Sequence, residues 1–104
     1  MMSFLLIVYI PVNSVAVVTQ SLFNAGAGVV GHYHRCGWSA TGMGQFAPQP
    51  GANPTIGKVG ELEYVEEVRF ECMVRESVKD AVIHSLRQAH PYEEPMFWLL
   101  RNQI

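Results

Sequence analysis

The chain has 104 residues, of which 49% are hydrophobic and 15% charged, which fits one globular domain over residues 1–104 with a single core and excludes wholesale disorder. Its formal net charge is −2 and it has no run of Lys or Arg, so recognition of nucleic acid through phosphate neutralisation is not expected. The two cysteines, Cys36 and Cys72, form no C-x-x-C pair and read as reduced thiols of a cytoplasmic protein.

Residues 1–34 carry no Asp, Glu, Lys or Arg. The apolar run 4–10 (FLLIVYI) lacks the basic region and the cleavage site of a signal peptide. It is also far shorter than the roughly 20 residues that cross a bilayer, so no membrane contact is expected. Both of its alternating faces are apolar, the pattern of a central strand, and Pro11 ends it.

Asn13 then stands as an N-cap, and Val15, Val18, Leu22 and Phe23 fall at helical spacing up to Gly26 at the C′ position. Val15, Val17, Val18 and Thr19 are weak helix formers, so burial has to hold this helix. After Gly26 and Gly28, residues 29–39 predict a second strand. A third covers about residues 62–74, where Val68, Phe70, Cys72 and Val74 alternate with Glu67, Arg69, Glu71 and Met73. Ser77 caps a second helix with an apolar stripe of Val78, Val82, Ile83 and Leu86. His90 closes it, where a protonated imidazole would suit the helix dipole, and Pro91 stops it. Residues 96–100 (MFWLL) predict the last strand.

The order β-α-β-β-α-β predicts an α+β, ferredoxin-like βαββαβ fold: a four-stranded antiparallel sheet with two helices on one face. The first and last strands are apolar on both faces, so the uncovered face is expected to meet another copy in a homo-oligomer.

The least regular stretch is residues 42–60, with five of the nine glycines, three of the six prolines and a single charge, Lys58. Loops longer than about 12–15 residues are usually functional or disordered. Its glycines permit close backbone approach and its prolines stiffen it. Phe46, Gly51, Ala52, Asn53, Pro54, Ile56, Gly57 and Lys58 are therefore candidate contacts to a small ligand or protein partner. One cation and no G-x-x-x-x-G-K-[ST] motif give thin support for phosphate binding. The plainer alternative is an Ω-like loop packed on a neighbouring subunit.

Two further groups invite chemistry. On a regular strand His32, His34 and Cys36 share one face and offer nitrogen and sulfur ligands to zinc or copper; alternatively a bulge breaks the phasing, or Cys36 packs beside Trp38. His90, Tyr92, Glu93 and Glu94 could serve acid–base chemistry or bind a hard cation, although on a strand the two glutamates point to opposite sides. The plainer reading is a helix stop and strand entry, with Tyr92 anchoring a subunit contact. Glu67, Arg69 and Glu71 share a strand face. Spacing defines no Ser-His-Asp, Cys-His or paired-carboxylate arrangement, so no catalytic residue is assigned.

Three segments, residues 25–36 (AGAGVVGHYHRC), 44–71 (GQFAPQPGANPTIGKVGELEYVEEVRFE) and 89–95 (AHPYEEP), resemble the YqfO type of the Nif-three-like proteins. In that family the module is inserted into a larger two-lobed chain, and this chain resembles the short free-standing versions. The module is similar in fold to the PII signalling proteins and to CutA, and residues 90–95 (HPYEEP) are similar to the HxYxxP signature near the CutA C-terminus. The resemblance implies a trimer, and puts residues 42–60 where PII-like proteins carry a long mobile loop for ligand and partner contacts. The dinuclear metal site of the larger relatives lies in the two lobes, which have no counterpart here, so neither its ligands nor a hydrolase activity carries over. The implied function is an oligomeric, regulatory PII/CutA-like module binding a small ligand, a metal ion or a protein. The alternatives are a small metal-dependent hydrolase using His32, His34 or His90 with Glu93, and a purely structural partner subunit.

Overall fold

The computed structural model describes residues 2–103 and opens with strand β1 (Ser3–Pro11). Leu6, Val8 and Ile10 on one face of β1 are fully buried, and Ile7 on the other is also buried. Leu5 on that second face is exposed, so the coverage of both faces that the apolar run implied is only partly met within one chain; pairing with a strand on either side places β1 inside the sheet.

Helix α1 (Val15–Asn24) is entered through a 3₁₀ turn, Val12–Ser14, and no side chain caps it. The expected Asn13 cap is thus not used. The C-terminal end follows the sequence closely. The Ala27 N–H bonds to the Leu22 carbonyl at 3.0 Å and the Gly26 N–H to that of Phe23 at 3.0 Å. With Gly26 at φ 109°, this is a Schellman motif, and the orphan carbonyls are satisfied. Val18 and Leu22 are the buried helix residues, as the spacing predicted.

The second strand lies elsewhere than expected. Residues 29–37 turn instead of extending: the N–H of Val30 bonds to the carbonyl of Tyr33 and the reverse, at 3.0 and 2.9 Å. Strand β2 is Trp38–Phe46, so residues 42–46 of the expected loop are sheet, and the loop proper is residues 47–62. β3 (Glu63–Arg75) pairs with β2 over nine residues, from Trp38 opposite Glu71 to Phe46 opposite Glu63.

Helix α2 (Lys79–Ala89) also starts from a 3₁₀ turn, Glu76–Val78, and Ser77 does not cap it. Val82 and Leu86 are buried, and β4 (Phe97–Arg101) ends the fold. The sheet order is β2-β3-β1-β4, antiparallel throughout. One sheet face meets both helices in a core of Leu6, Val8, Ile10, Val18, Leu22, Phe70, Cys72, Val74, Val82 and Leu86. Burial pushes the Cys72 thiol up to about 12, so it stays a protonated core group.

The other face is open. Its rows run Trp38, Glu71, Ile7, Trp98 and Met73, Leu5, Leu100, with Trp38, Leu5, Trp98 and Leu100 exposed. At the edge of the fold the Asn102 N–H bonds to the Ser3 carbonyl at 2.9 Å, and the Asn102 side-chain amide to Ser3 Oγ at 3.1 Å. Among the described residues no helix is long and apolar enough to cross a membrane.

Candidate functional site: a cleft under the loop

The β2–β3 hairpin outruns β1, whose last residue, Pro11, pairs with Glu67. Beyond that point β2 and β3 continue as a two-stranded arm, and the loop 47–62 folds back from it over the open face. The Gly60 N–H closes the neck on the Pro48 carbonyl at 2.8 Å. At the tip the Ala52 N–H bonds to the Gln49 carbonyl at 3.0 Å around Pro50 and Gly51. Pro at the second position and Gly at the third, here with φ 99°, is the signature of a type II turn.

The loop is tied to the segment between α2 and β4. The Asn53 N–H donates to Glu93 Oε1 at 3.0 Å, and Thr55 Oγ1 donates to the Pro91 carbonyl at 2.6 Å. The Tyr92 hydroxyl donates to Glu67 Oε2 on β3 at 2.6 Å, and its ring meets Phe46 at 5.8 Å between centroids. Burial first, then the bond and charge of Glu67, hold the Tyr92 phenol well above its ordinary value.

His90 anchors this segment from below. It is buried, and its Nε2 lies 2.7 Å from the Tyr9 carbonyl while Nδ1 lies 3.1 Å from the Tyr92 N–H. A carbonyl only accepts and an N–H only donates, so the ring is neutral, with its proton on Nε2. Burial lowers the His90 pKa, against smaller opposing effects of the Tyr9 bond and the Glu67 charge. The charged imidazole that would suit the helix end is not the form these bonds describe, and desolvation by burial disfavours it.

Between loop, sheet and this segment lies a cleft of about 770 Å³. Its floor includes Gly42 and Gly44 of β2 with Glu67 and Arg69 of β3, and Tyr9, Phe46, Tyr92 and Met96 stand around it. A Cβ on Gly44 would fall 2.0 Å from Glu67 Oε1, so glycine is what lets that carboxylate lie across β2. A Cβ on Gly42 would meet nothing within 4 Å. Arg69 is held by Glu71 along its own strand, Nε to Oε2 at 2.9 Å.

Of the expected loop contacts, Phe46, Ala52, Pro54 and Ile56 line the cleft; Asn53 supplies the tie to Glu93, and Gly51 the turn. Gly57 packs near Glu63, and Lys58 is exposed outside the lining. Glu93 and Glu94 both line the cleft, because residues 91–96 are not strand and the alternation that would separate them never starts. His32, His34 and Cys36 lose their shared strand face: the segment turns, with Gly31 and Arg35 at positive φ. Among the described residues no group of three or more His, Cys, Asp or Glu is placed to hold a metal ion. Tyr9 and Met96 belong to the cleft without having stood out in the sequence; Gly42 and Gly44 lie in the glycine-rich stretch 42–60 but were not among its candidate contacts, and Glu67 and Arg69 were marked by their alternation on β3.

Sheet order, helix placement and loop position together define a ferredoxin-like module of the CutA and PII kind. CutA from Xylella fastidiosa superposes with a TM-score of 0.70 at 16% identity, over 98% of this chain and 85% of that one. GlnK from Bacillus subtilis gives 0.62 at 10% identity, over 99% and 87%. At these identities the likeness is one of fold. A Bacillus cereus protein related to NIF3 has a TM-score of 0.84 at 36% identity, over 99% of this chain and 26% of that one. In sequence the chain is similar to the GTP cyclohydrolase 1 type 2 homologs of Bacillus subtilis (49% identical over 89 residues) and Mycobacterium leprae (45% over 91). These matches cover 86% and 88% of the chain and 24% of each relative. No family model matches. The chain is thus homologous to a CutA/PII-like module of the NIF3-related proteins, and spans about a quarter of the length of the relatives it matches.

Proposed function

We propose that the chain is a homo-oligomeric binding module whose cleft under residues 47–62 takes a small ligand and transmits its presence through the loop. The cleft carries this reading: a concave site of about 770 Å³ beneath a loop tied at Asn53 and Thr55 to residues 91–93. Binding is favoured over catalysis because, Glu94 apart, the nearby titratable groups are already engaged. His90 has both ring nitrogens engaged, Glu67 accepts from Tyr92, and Glu93 accepts from Asn53. Hydrolysis would need a general base oriented by a partner, and Glu94 alone is left for that role. The exposed Trp38, Trp98, Leu5 and Leu100 support association of copies through the open face, and the trimer implied by the CutA and PII resemblance is the expected state.

The test is thermal unfolding against nucleotides, metabolites and divalent metals, on the wild type and on a variant with residues 49–59 replaced by two glycines. Pro48 and Gly60 are hydrogen-bonded across that gap, so the core should fold. A ligand at 100 times its Kd adds about 2.7 kcal/mol, and each kcal/mol moves Tm by roughly 4–8 °C in a domain this size. The wild type should shift with at least one compound and the short-loop variant should not. A flat panel for the wild type would sink the binding reading.

A further inference from the structure

We infer that the occupant of the cleft is a flat organic cation, an inference that rests on the binding reading above. Three carboxylates, Glu67, Glu93 and Glu94, line the cleft, and its basic lining residue, Arg69, is already paired with Glu71. Lys58 stands outside the lining. A cleft walled mainly by one sign of charge concentrates the opposite sign, so this one draws cations and repels phosphates. The backbone N–H of Asn53, which could have met an anion, is spent on Glu93.

The walls are aromatic as well as acidic. Phe46 and Tyr92 pack at 5.8 Å, tilted by 60°, with Tyr9 also in the lining. Ring faces attract cations, and most strongly those with delocalised charge and a weak hydration shell. The Tyr92 hydroxyl donates a hydrogen bond to Glu67 Oε2, which fixes the ring beside that carboxylate.

The floor supplies the shape. Gly42 sits in the middle of β2 without a positive φ, and a Cβ there would touch nothing within 4 Å. Neither backbone conformation nor crowding demands glycine, although glycine weakens a strand. A bare strand position commonly marks close approach of another group to the backbone. Here it leaves bare backbone open on the cleft floor, which a planar group can approach face-on.

Isothermal titration calorimetry of the full chain with benzamidinium and with benzoate compares one shape in two charges. Benzamidinium should bind with about millimolar affinity or tighter, and benzoate at least about tenfold more weakly. Gly42→Val should fold with unchanged mass and an equal or higher Tm, since valine suits a strand and meets nothing, yet lose benzamidinium binding by about tenfold or more. Glu93→Gln, which still accepts the Asn53 N–H, should weaken it severalfold. Benzoate or ATP binding as tightly as benzamidinium, in a manner sensitive to Gly42→Val, would overturn the cation and keep the cleft. Benzamidinium binding indifferent to Gly42→Val would place it elsewhere and overturn the inference. Silence from both probes together with a flat ligand panel would overturn the binding reading as well.

Discussion

His90 joins three parts of the protein through one ring: the end of α2, the carbonyl of Tyr9 on β1, and the N–H of Tyr92 beside the cleft. Its pKa is lowered below the ordinary 6.5 by burial, so an unfolded chain takes up a proton that the folded chain refuses. The stability of the neutral ring is therefore complete above about pH 6.5 and is lost as pH falls towards the folded value. His90→Gln removes this titration. Urea denaturation should show a loss of about 1–3 kcal/mol near pH 8, from buried groups left unpaired, and a flatter dependence below pH 6.5 than the wild type. Equal pH slopes for the two proteins would show that His90 is not the neutral group described. The motif 90–94 was legible in the sequence as a cluster. Its organisation was not, because His90 finds its partner 81 residues away and Tyr92 finds Glu67 at a distance of 25.

At the scale of the element, the strands and helices were legible where burial and local signals agree. The α1 terminus is such a place, and Gly26→Ala tests it. At φ 109° a Cβ is strained, and it would stand 3.0 Å from Val78 Cγ1 at the start of α2. The variant should lose about 1–2 kcal/mol or more in thermal or urea melts. An unchanged Tm would mean that the turn relaxes freely. β2 is the opposite case. Gly42 and Gly44 argue against a strand by propensity, and Val29, Val30 and Tyr33 argue for one. Pairing with nine residues of β3 decides the matter, since a partner strand supplies what the local sequence withholds. The helix starts were misjudged for a related reason: Asn13 and Ser77 lie inside 3₁₀ turns that do the work of caps.

For the whole molecule, the α+β class, the four-stranded antiparallel sheet and the single helical layer followed from the pattern of elements, because few topologies bury two amphipathic helices on one sheet. The face left bare is where association is proposed. Trp98 lies in a row with Ile7 and Trp38 and is half exposed. Trp98→Glu should reduce the mass from light scattering to that of one 11.6 kDa chain while circular dichroism stays unchanged. A wild type already at 11.6 kDa at low micromolar concentration would rule out the oligomer.

The two hydrogen bonds between Ser3 and Asn102 have a consequence for how such a fold can travel between proteins. The polypeptide enters and leaves the domain at the same spot. A host protein could open one of its surface turns, thread the whole fold into the gap, and close again with its own ends scarcely moved, since loop closure depends on the distance to be bridged and only weakly on what lies between. Neighbouring ends make the fold a cassette, spliced in or out at a single junction without disturbing the frame on either side.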